Sequence, residues 1–147
     1  MVSKVQKAIL DTGPLIAFLN KNDHYHDWTV MQFGNITPPL LTCEAVLSEA
    51  CFLLRHTENG IANIMKLLER RVILIPFRLE EELSTLKILL KKYMNLPMSL
   101  ADACLVRMAE QITDSVIFTV DSDFRIYRKN KRQLIPVIMP GDVLHSR

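Results

Sequence analysis

Short apolar runs alternate with longer segments of helical periodicity along this chain, and this alternation restricts its fold more than any other feature. The runs are rich in Val, Ile and Leu, as buried strands are. Strands separated by helices are typical of a parallel sheet, because each parallel pair needs a long crossover connection. We therefore predict an α/β/α sandwich with a central, mostly parallel sheet of about five strands. The predicted strands lie near Ala8–Leu10, Leu40–Thr42, Val72–Ile75, Val116–Val120 and Ile135–Met139.

The spacing of apolar residues predicts the helices that connect these strands. Apolar side chains recur at helical intervals in the intervening segments. Asn59-Gly60 separates two of these helices, which we expect to form a helical hairpin. Ser99 and Asp102 have the spacing of an N-terminal capping box, with Asp in place of the usual Glu. The predicted helices are Leu15–Leu19, Tyr25–Phe33, Glu44–Arg55, Ile61–Arg70, Glu80–Tyr93 and a segment from Ser99 to Gln111.

The composition is that of one globular domain, which we predict to span residues 1–147. Apolar residues make up 49% of the chain and charged residues 23%, and a chain of this length buries roughly two-thirds of its unfolded surface. No apolar run approaches the ~20 residues that span a bilayer, so no membrane partner is expected. The amino-terminal segment lacks the features of a signal peptide, which predicts a cytoplasmic location. Three cysteines without a Cys-x-x-Cys pair predict buried, reduced thiols at Cys43, Cys51 and Cys104.

Two aspartates directly follow apolar runs, where a carboxylate is unusual unless its charge is needed. Asp11 follows Ala8–Leu10, and Asp121 follows Val116–Val120. Open α/β sheets bind ligands at the carboxyl ends of their strands. Both aspartates are therefore candidate site residues.

Two further acids, Glu49 and Asp102, have apolar neighbours on predicted helices. The residues three and four positions from Glu49 are apolar, so we expect its side chain to project from a covered surface. A carboxylate there costs on the order of several kcal/mol unless it is paired or bound to metal. Glu44 differs, because the helix dipole favours an acid in the first turn. Glu49 is therefore the better candidate.

Capping is an alternative role for several of these groups. Asp102 is suited to accept the backbone N–H at the start of its helix, and Asp11 is suited to cap the helix that follows it. Thr12, Ser99 and Thr119 carry hydroxyl groups near the acids. Each hydroxyl is suited either to bind water or a phosphate oxygen or to cap a helix, and the sequence leaves both roles open.

Convergence of the acids would create a site for a hard divalent cation. Several carboxylates within a few ångströms of one another cannot all stay ionised without a cation. Oxygen ligands without a nearby Cys or His pair favour Mg²⁺ or Mn²⁺ over Zn²⁺. Such a site suits phosphodiester hydrolysis, because the ion activates water and neutralises charge on the phosphate. We assign metal-binding and catalytic roles to Asp11, Glu49, Asp102 and Asp121.

A basic cluster follows Asp121 and includes two aromatic residues, Phe124 and Tyr127. The whole chain has a net charge of only +2, so this local concentration is more informative than the total. A basic cluster beside an acidic site is suited to hold a phosphate backbone. The alternative is a solvated surface loop. The candidate residues for binding a phosphate backbone are Arg125, Arg128, Lys129, Lys131 and Arg132.

Four short motifs resemble the PIN domain family in their order and spacing. They are Asp11-Thr12-Gly13-Pro14-Leu15-Ile16-Ala17, the Glu49 that ends Thr42–Glu49, Leu100-Ala101-Asp102-Ala103, and Thr119-Val120-Asp121-Ser122-Asp123-Phe124. The resemblance covers nearly the whole chain. It implies that the family's acids are Asp11, Glu49, Asp102 and Asp121, with Thr119 as the associated hydroxyl. Asp123 also fits the last motif, and we prefer Asp121 with Asp123 as an outer contributor.

The resemblance implies a ribonuclease that depends on Mg²⁺ or Mn²⁺, built on an α/β/α sandwich. Many small members of the family are toxins of bacterial or archaeal toxin–antitoxin pairs, similar to VapC. An RNA substrate, a cognate antitoxin and a homodimer are therefore implied as partners. The alternative is a non-catalytic PIN-fold module that binds RNA or protein. A phosphatase of the haloacid dehalogenase type is disfavoured, because it would have a second aspartate at the position of Gly13.

Overall fold

Five parallel strands lie at the centre of the molecule. A computed structural model describes residues 3–143. The strands of the central sheet are β1 (Ala8–Leu10), β2 (Leu40–Leu41), β3 (Ile73–Leu74), β4 (Val116–Phe118) and β7 (Val137–Ile138). A separate pair is formed by β5 (Arg128–Lys129) and β6 (Gln133–Leu134). The central sheet has the order β3-β2-β1-β4-β7, and all its described pairs are parallel. The predicted sheet is therefore confirmed, although four of its five strands are shorter than predicted.

Helices connect the strands much as the apolar spacing predicts. They are α1 (Thr12–Leu19), α2 (His26–Gly34), α3 (Glu44–Leu53), α4 (Gly60–Glu69), α5 (Leu83–Lys92) and α6 (Leu100–Gln111). The stretch predicted as one helix from Glu80 begins instead with a short 3₁₀ helix, Leu79–Glu82, which leads into α5. A second 3₁₀ helix, Ser122–Arg125, follows β4. Neither 3₁₀ helix was predicted.

The two faces of the sheet pack against different helices. Neighbouring residues of β1 and β4 point to opposite faces, since side chains alternate along a strand. Ile9 and Ile117 are register partners and belong to a core that includes residues of α5 and α6. Leu10 and Phe118 are also partners and belong to a second core with residues of α1, α3 and α4. These two cores give the predicted α/β/α layering.

Side-chain caps fix the starts of the two helices nearest the strand ends. Asp11 caps α1 by accepting a hydrogen bond from the backbone N–H of Thr12. Ser99 and Asp102 form a complete capping box at α6, as predicted. Most of α6 beyond Asp102 is buried, because the helix packs between α5 and the sheet. Asp102 therefore lies, partly buried, in the first turn of a helix whose remaining length is mostly buried.

One hairpin was not predicted from the sequence. Strands β5 and β6 pair antiparallel within the segment that carries most of the basic cluster. Asn130 and Lys131, at the turn, have positive φ angles of 49° and 75°. The alternation of basic and polar residues here gives no apolar pattern, which is the signal that strand prediction needs.

The cysteines behave largely as expected. Cys43 and Cys104 are buried, Cys51 is partly exposed, and all three are free. Cys43 precedes α3 rather than lying within a helix. Across residues 3–143, no helix combines the length and apolar character needed to cross a membrane.

Candidate active site

Asp11 lies buried at the carboxyl end of β1 and receives a hydrogen bond on each carboxylate oxygen. Its Oδ1 accepts from the backbone N–H of Thr12 at 2.7 Å, and its Oδ2 accepts from the Thr119 hydroxyl at 2.7 Å. Thr119 follows β4, the neighbour of β1, so parallel pairing brings two residues 108 positions apart into contact. The Thr119 hydroxyl therefore orients Asp11, whereas the Thr12 hydroxyl donates to Glu49.

Thr119 also connects Asp11 to Asp121. The Thr119 oxygen accepts a hydrogen bond from the backbone N–H of Asp121 at 2.9 Å. Asp121 in turn caps the following 3₁₀ helix through a 2.9 Å bond from the backbone N–H of Asp123 to its Oδ1. The charge of Asp121 raises the pKa of Asp11, and the charges of both Asp121 and Asp123 raise the pKa of Tyr127. Asp121 is partly buried and Asp123 is buried.

Asp102 reaches the same region from the start of α6. Its Oδ2 accepts two hydrogen bonds at 3.2 Å, one from the backbone N–H of Ser99 and one from the hydroxyl of Tyr127. The Ser99 hydroxyl accepts from the backbone N–H of Asp102 at 3.0 Å, so it caps the helix. Tyr127 was not predicted as a site residue, and only its position within the segment after Asp121 linked it to the acids.

The three aspartates act on one another electrostatically. Burial raises the pKa of Asp11 to about 7, against the lowering effect of the Thr119 hydrogen bond, and the charges of Asp102 and Asp121 raise it further. Burial also raises the pKa of Asp102, and the charge of Asp121 contributes. Tyr127 has its pKa raised by burial and by the neighbouring acids, so its hydroxyl stays protonated and donates. A bound cation would relieve the repulsion between these carboxylates.

The donors fit a hard divalent ion in their chemistry but are not gathered around a single point. Asp11, Asp102 and Asp121 offer carboxylate oxygens, the ligands that Mg²⁺ and Mn²⁺ prefer. Within residues 3–143, however, no three His, Cys, Asp or Glu side chains are close enough to hold one ion together. Ion binding would require the carboxylates to draw closer than they stand in this structure.

The surroundings of Glu49 differ from those that the sequence predicts. Its side chain is exposed, and Phe52, one turn along α3, is 61% exposed. The expectation that this surface is covered was wrong for the turn after Glu49, where Leu53 is also 51% exposed, whereas Val46 in the preceding turn is buried. Glu49 nevertheless faces the acids, since its Oε2 accepts a long hydrogen bond of 3.4 Å from the Thr12 hydroxyl.

A groove of about 550 Å³ runs between α3 and the start of α6, next to the acids. Glu49 and Phe52 line one wall, and Ser99 and Leu100 line the other. The groove is open to solvent, and the residues on both walls adjoin predicted site residues. An extended polymer bound at the acids has room to continue into it.

The basic cluster does not form one surface. The guanidinium of Arg125 donates to the backbone carbonyl of Val143, and that of Arg128 donates to the carbonyls of residues 125, 126 and 127. In the described part of the chain, the side chains of Lys129, Lys131 and Arg132 have no hydrogen bond or ion pair. The cluster therefore divides into two arginines that bind backbone carbonyls, the half-buried Lys129, and two exposed cations, Lys131 and Arg132.

The fold and the site together define an α/β/α protein with carboxylates grouped at the carboxyl end of a parallel sheet. The chain belongs to the PIN domain family, whose pattern it matches over residues 8–130. Among solved structures, it is similar to VapC20 of Mycobacterium tuberculosis, a toxin described as cleaving the sarcin–ricin loop. That likeness has a TM-score of 0.64 at 19% identity and covers 79% of this chain and 91% of VapC20. No curated protein sequence matches the chain.

Proposed function

We propose that this protein is an endoribonuclease that depends on Mg²⁺ or Mn²⁺ and hydrolyses RNA phosphodiester bonds at its acidic site. Membership of the PIN family supports a nuclease. The observation that carries the proposal is the buried Asp11, whose pKa is raised to about 7 by burial and by two neighbouring carboxylates. Carboxylates that repel one another in this way are stabilised by a divalent cation.

Asp11, Asp102 and Asp121 would hold the ion. When bound, it supplies positive charge that stabilises the developing charge on the phosphate and makes water a better nucleophile. Thr119 keeps Asp11 and Asp121 in a fixed relation through its two hydrogen bonds. The capping box holds Asp102 at the end of a buried helix.

Glu49 has a separate role in this proposal. It is exposed, and it contacts the site through the hydroxyl of Thr12, whose backbone N–H binds Asp11. A carboxylate so placed can take a proton from the attacking water or complete the ligands of the ion. The groove lined by Glu49 and Phe52 is the proposed path of the RNA strand.

We further propose that the protein acts as the toxin of a toxin–antitoxin pair in the cytoplasm. The similarity to VapC20 supports this assignment, because that protein is described as a toxin that cleaves the sarcin–ricin loop. An antitoxin that covers the acidic site and a homodimer are the proposed protein partners. Co-expression with a neighbouring open reading frame, followed by purification, would test for the partner. If expression of the protein arrests growth and the second reading frame restores growth without forming a stable complex, the proposal of an antitoxin that covers the acidic site is contradicted.

The experiment that tests the nuclease is cleavage of varied RNAs by the purified protein with Mg²⁺ or Mn²⁺, followed by mapping of the cut ends. We expect cleavage that stops in excess chelator and in Asp11→Asn. Asp114→Asn is the matched control, because Asp114 is an exposed acid with a φ of 60° that Asn tolerates. Full cleavage by Asp11→Asn, or cleavage in chelator, would overturn the proposal.

A non-catalytic PIN-fold module that binds RNA or protein is the second candidate. One observation favours it: among residues 3–143 no three potential ligands stand close enough to share an ion. A binding module would retain RNA in filter binding without Mn²⁺ and would leave the RNA intact at any metal concentration. Cleavage by the wild type but not by Asp11→Asn would exclude this alternative.

A further inference from the structure

Tyr127 contacts one of the acids although the nuclease assignment gives it no role. We propose that Tyr127 is a positioning residue that fixes the Asp102 carboxylate for the divalent ion, an inference that rests on the proposed function. Its hydroxyl donates to Asp102 Oδ2 across 25 positions of sequence. The ring is fully buried, so the hydroxyl approaches Asp102 from inside the protein rather than from the solvent side.

The Tyr127 ring is held by other aromatic rings. Tyr93, at the end of α5, meets it edge to face with ring centroids 5.0 Å apart. Phe124 meets it at 90° with centroids 5.2 Å apart. Rings in such contacts have little freedom to turn, because their positions are set by packing on several sides. The hydroxyl therefore points in one direction.

The backbone that carries Tyr127 is also fixed. The backbone N–H of Arg128 donates to the Tyr93 hydroxyl at 2.9 Å. The Arg128 guanidinium donates to the carbonyls of Arg125, Ile126 and Tyr127 at 2.7 to 3.1 Å. The Arg128 side chain thus holds the backbone of residues 125 to 127 in a tight turn. Arg128, for which RNA binding stays a prediction, thereby supports the residue that holds Asp102.

The hydrogen bonds of Asp102 are distributed unevenly over its two oxygens. Oδ2 accepts from both Ser99 and Tyr127, whereas Oδ1 has no hydrogen bond within residues 3–143. The Ser99 bond belongs to the capping box and needs no tyrosine. The second bond on Oδ2 anchors that oxygen and leaves Oδ1 available for an ion. Such outer hydrogen bonds orient metal ligands and raise metal affinity.

The test is Tyr127→Phe, which removes only the hydroxyl and keeps the ring. Tyr93→Phe is the matched control, because it removes a hydroxyl from the same aromatic cluster that contacts backbone rather than an acid. We expect Tyr127→Phe to weaken Mn²⁺ binding about 10-fold in calorimetry, within the range found for outer-shell changes. It should also lower kcat with little change in the KM for RNA. Tyr93→Phe should change both quantities less than Tyr127→Phe, because the Arg128 guanidinium and the ring contacts still hold the segment.

Equal Mn²⁺ affinity in the two variants would overturn the inference. If Asp11→Asn still abolishes cleavage in that case, the nuclease stands and only the role of Tyr127 is lost. If the wild type takes up no Mn²⁺ and Asp11→Asn has no effect, both proposals fall.

A second measurement uses wild-type protein, in case Tyr127→Phe does not fold. The chain has three tyrosines, so spectra of protein labelled with ¹³C-tyrosine are simple. We expect Mg²⁺ to shift the ring signals of Tyr127 with a saturable titration and to leave those of Tyr93 nearly unchanged. Equal shifts of both rings, or no shift of Tyr127, would overturn the inference.

Discussion

The acidic site gathers residues that are far apart in sequence, whereas the basic segment from 125 to 132 has neighbouring residues whose side chains have different surroundings. The acids Asp11, Asp102 and Asp121 are scattered along the chain, yet they act on one another electrostatically in the fold. The basic residues are close together in sequence, yet Arg125 and Arg128 bind backbone carbonyls while Lys131 and Arg132 are exposed. Clustering in sequence is thus a poor guide to a shared surface, whereas position at strand ends and helix starts is a good one. Variants of both regions test this contrast, in order of decreasing expected effect.

The largest effect is expected from Asp102→Asn. Groups that act as one catalytic unit lose most of their effect when a single member is removed, so we expect cleavage to fall at least about 1,000-fold, or about 4 kcal/mol in the barrier. Single-turnover cleavage at saturating RNA measures it. Glu49→Gln serves as the comparison and should lose less, because Glu49 is exposed and is linked to the site through Thr12. A larger loss in Glu49→Gln would show that the buried acids are not the centre of the site.

The second effect is on the pH dependence of stability, and it concerns Asp11. Its folded-state pKa of about 7 lies above the ordinary 3.8, so the folded protein binds this proton more tightly than the unfolded chain. In excess chelator, the free energy of unfolding should therefore fall as pH rises from about 4 to about 7. Asp11→Asn removes this loss and should be more stable than wild type at pH 8, by on the order of 4 kcal/mol.

Urea unfolding at pH 5 and pH 8 measures the difference in the free energy of unfolding between Asp11→Asn and wild type. This difference should become smaller towards pH 4, and Asp114→Asn should show no such trend. Added Mn²⁺ should stabilise the wild type but not Asp11→Asn, by linkage to binding. A wild type that becomes more stable between pH 5 and pH 8 in chelator would contradict the assigned environment of Asp11.

The third effect separates the two kinds of basic residue. Arg128→Ala removes three hydrogen bonds to carbonyls and should destabilise the fold by roughly 1–3 kcal/mol. Arg132→Ala, at an exposed position without such bonds, should change stability by less than about 0.5 kcal/mol. Thermal unfolding of both variants checks the contrast. Equal stability would show that Arg128 does not support its segment.

The smallest effect concerns RNA affinity. Neutralising Lys129, Lys131 and Arg132 together should weaken RNA binding, because fewer phosphates of the strand are then neutralised by the protein. The salt slope should fall by about 0.7 for each such phosphate on single-stranded RNA. Filter binding of catalytically inactive Asp102→Asn over a range of salt concentrations measures it. An unchanged slope would assign these residues to ordinary surface and leave the strand path to the groove between α3 and α6.

The sequence failed where a prediction depended on what covers a helix. Helical spacing places Glu49 with apolar neighbours, but it does not say whether another element packs over them, and Phe52 proves to be exposed. Tyr127 was missed for the converse reason. Its contact with Asp102 depends on packing against Tyr93 and Phe124, and nothing in its local sequence indicates that contact.

The sequence by itself determined the alternation of strands and helices, the caps formed by Asp11, Ser99 and Asp102, and the acids placed at strand ends. These features follow from periodicity and from hydrogen bonds between residues no more than a few positions apart. Only the tertiary structure decided that Thr119 orients Asp11, that Tyr127 holds Asp102 and that Arg128 binds backbone. The first two depend on contacts across 108 and 25 positions, and the third on a local turn whose form the surrounding packing selects.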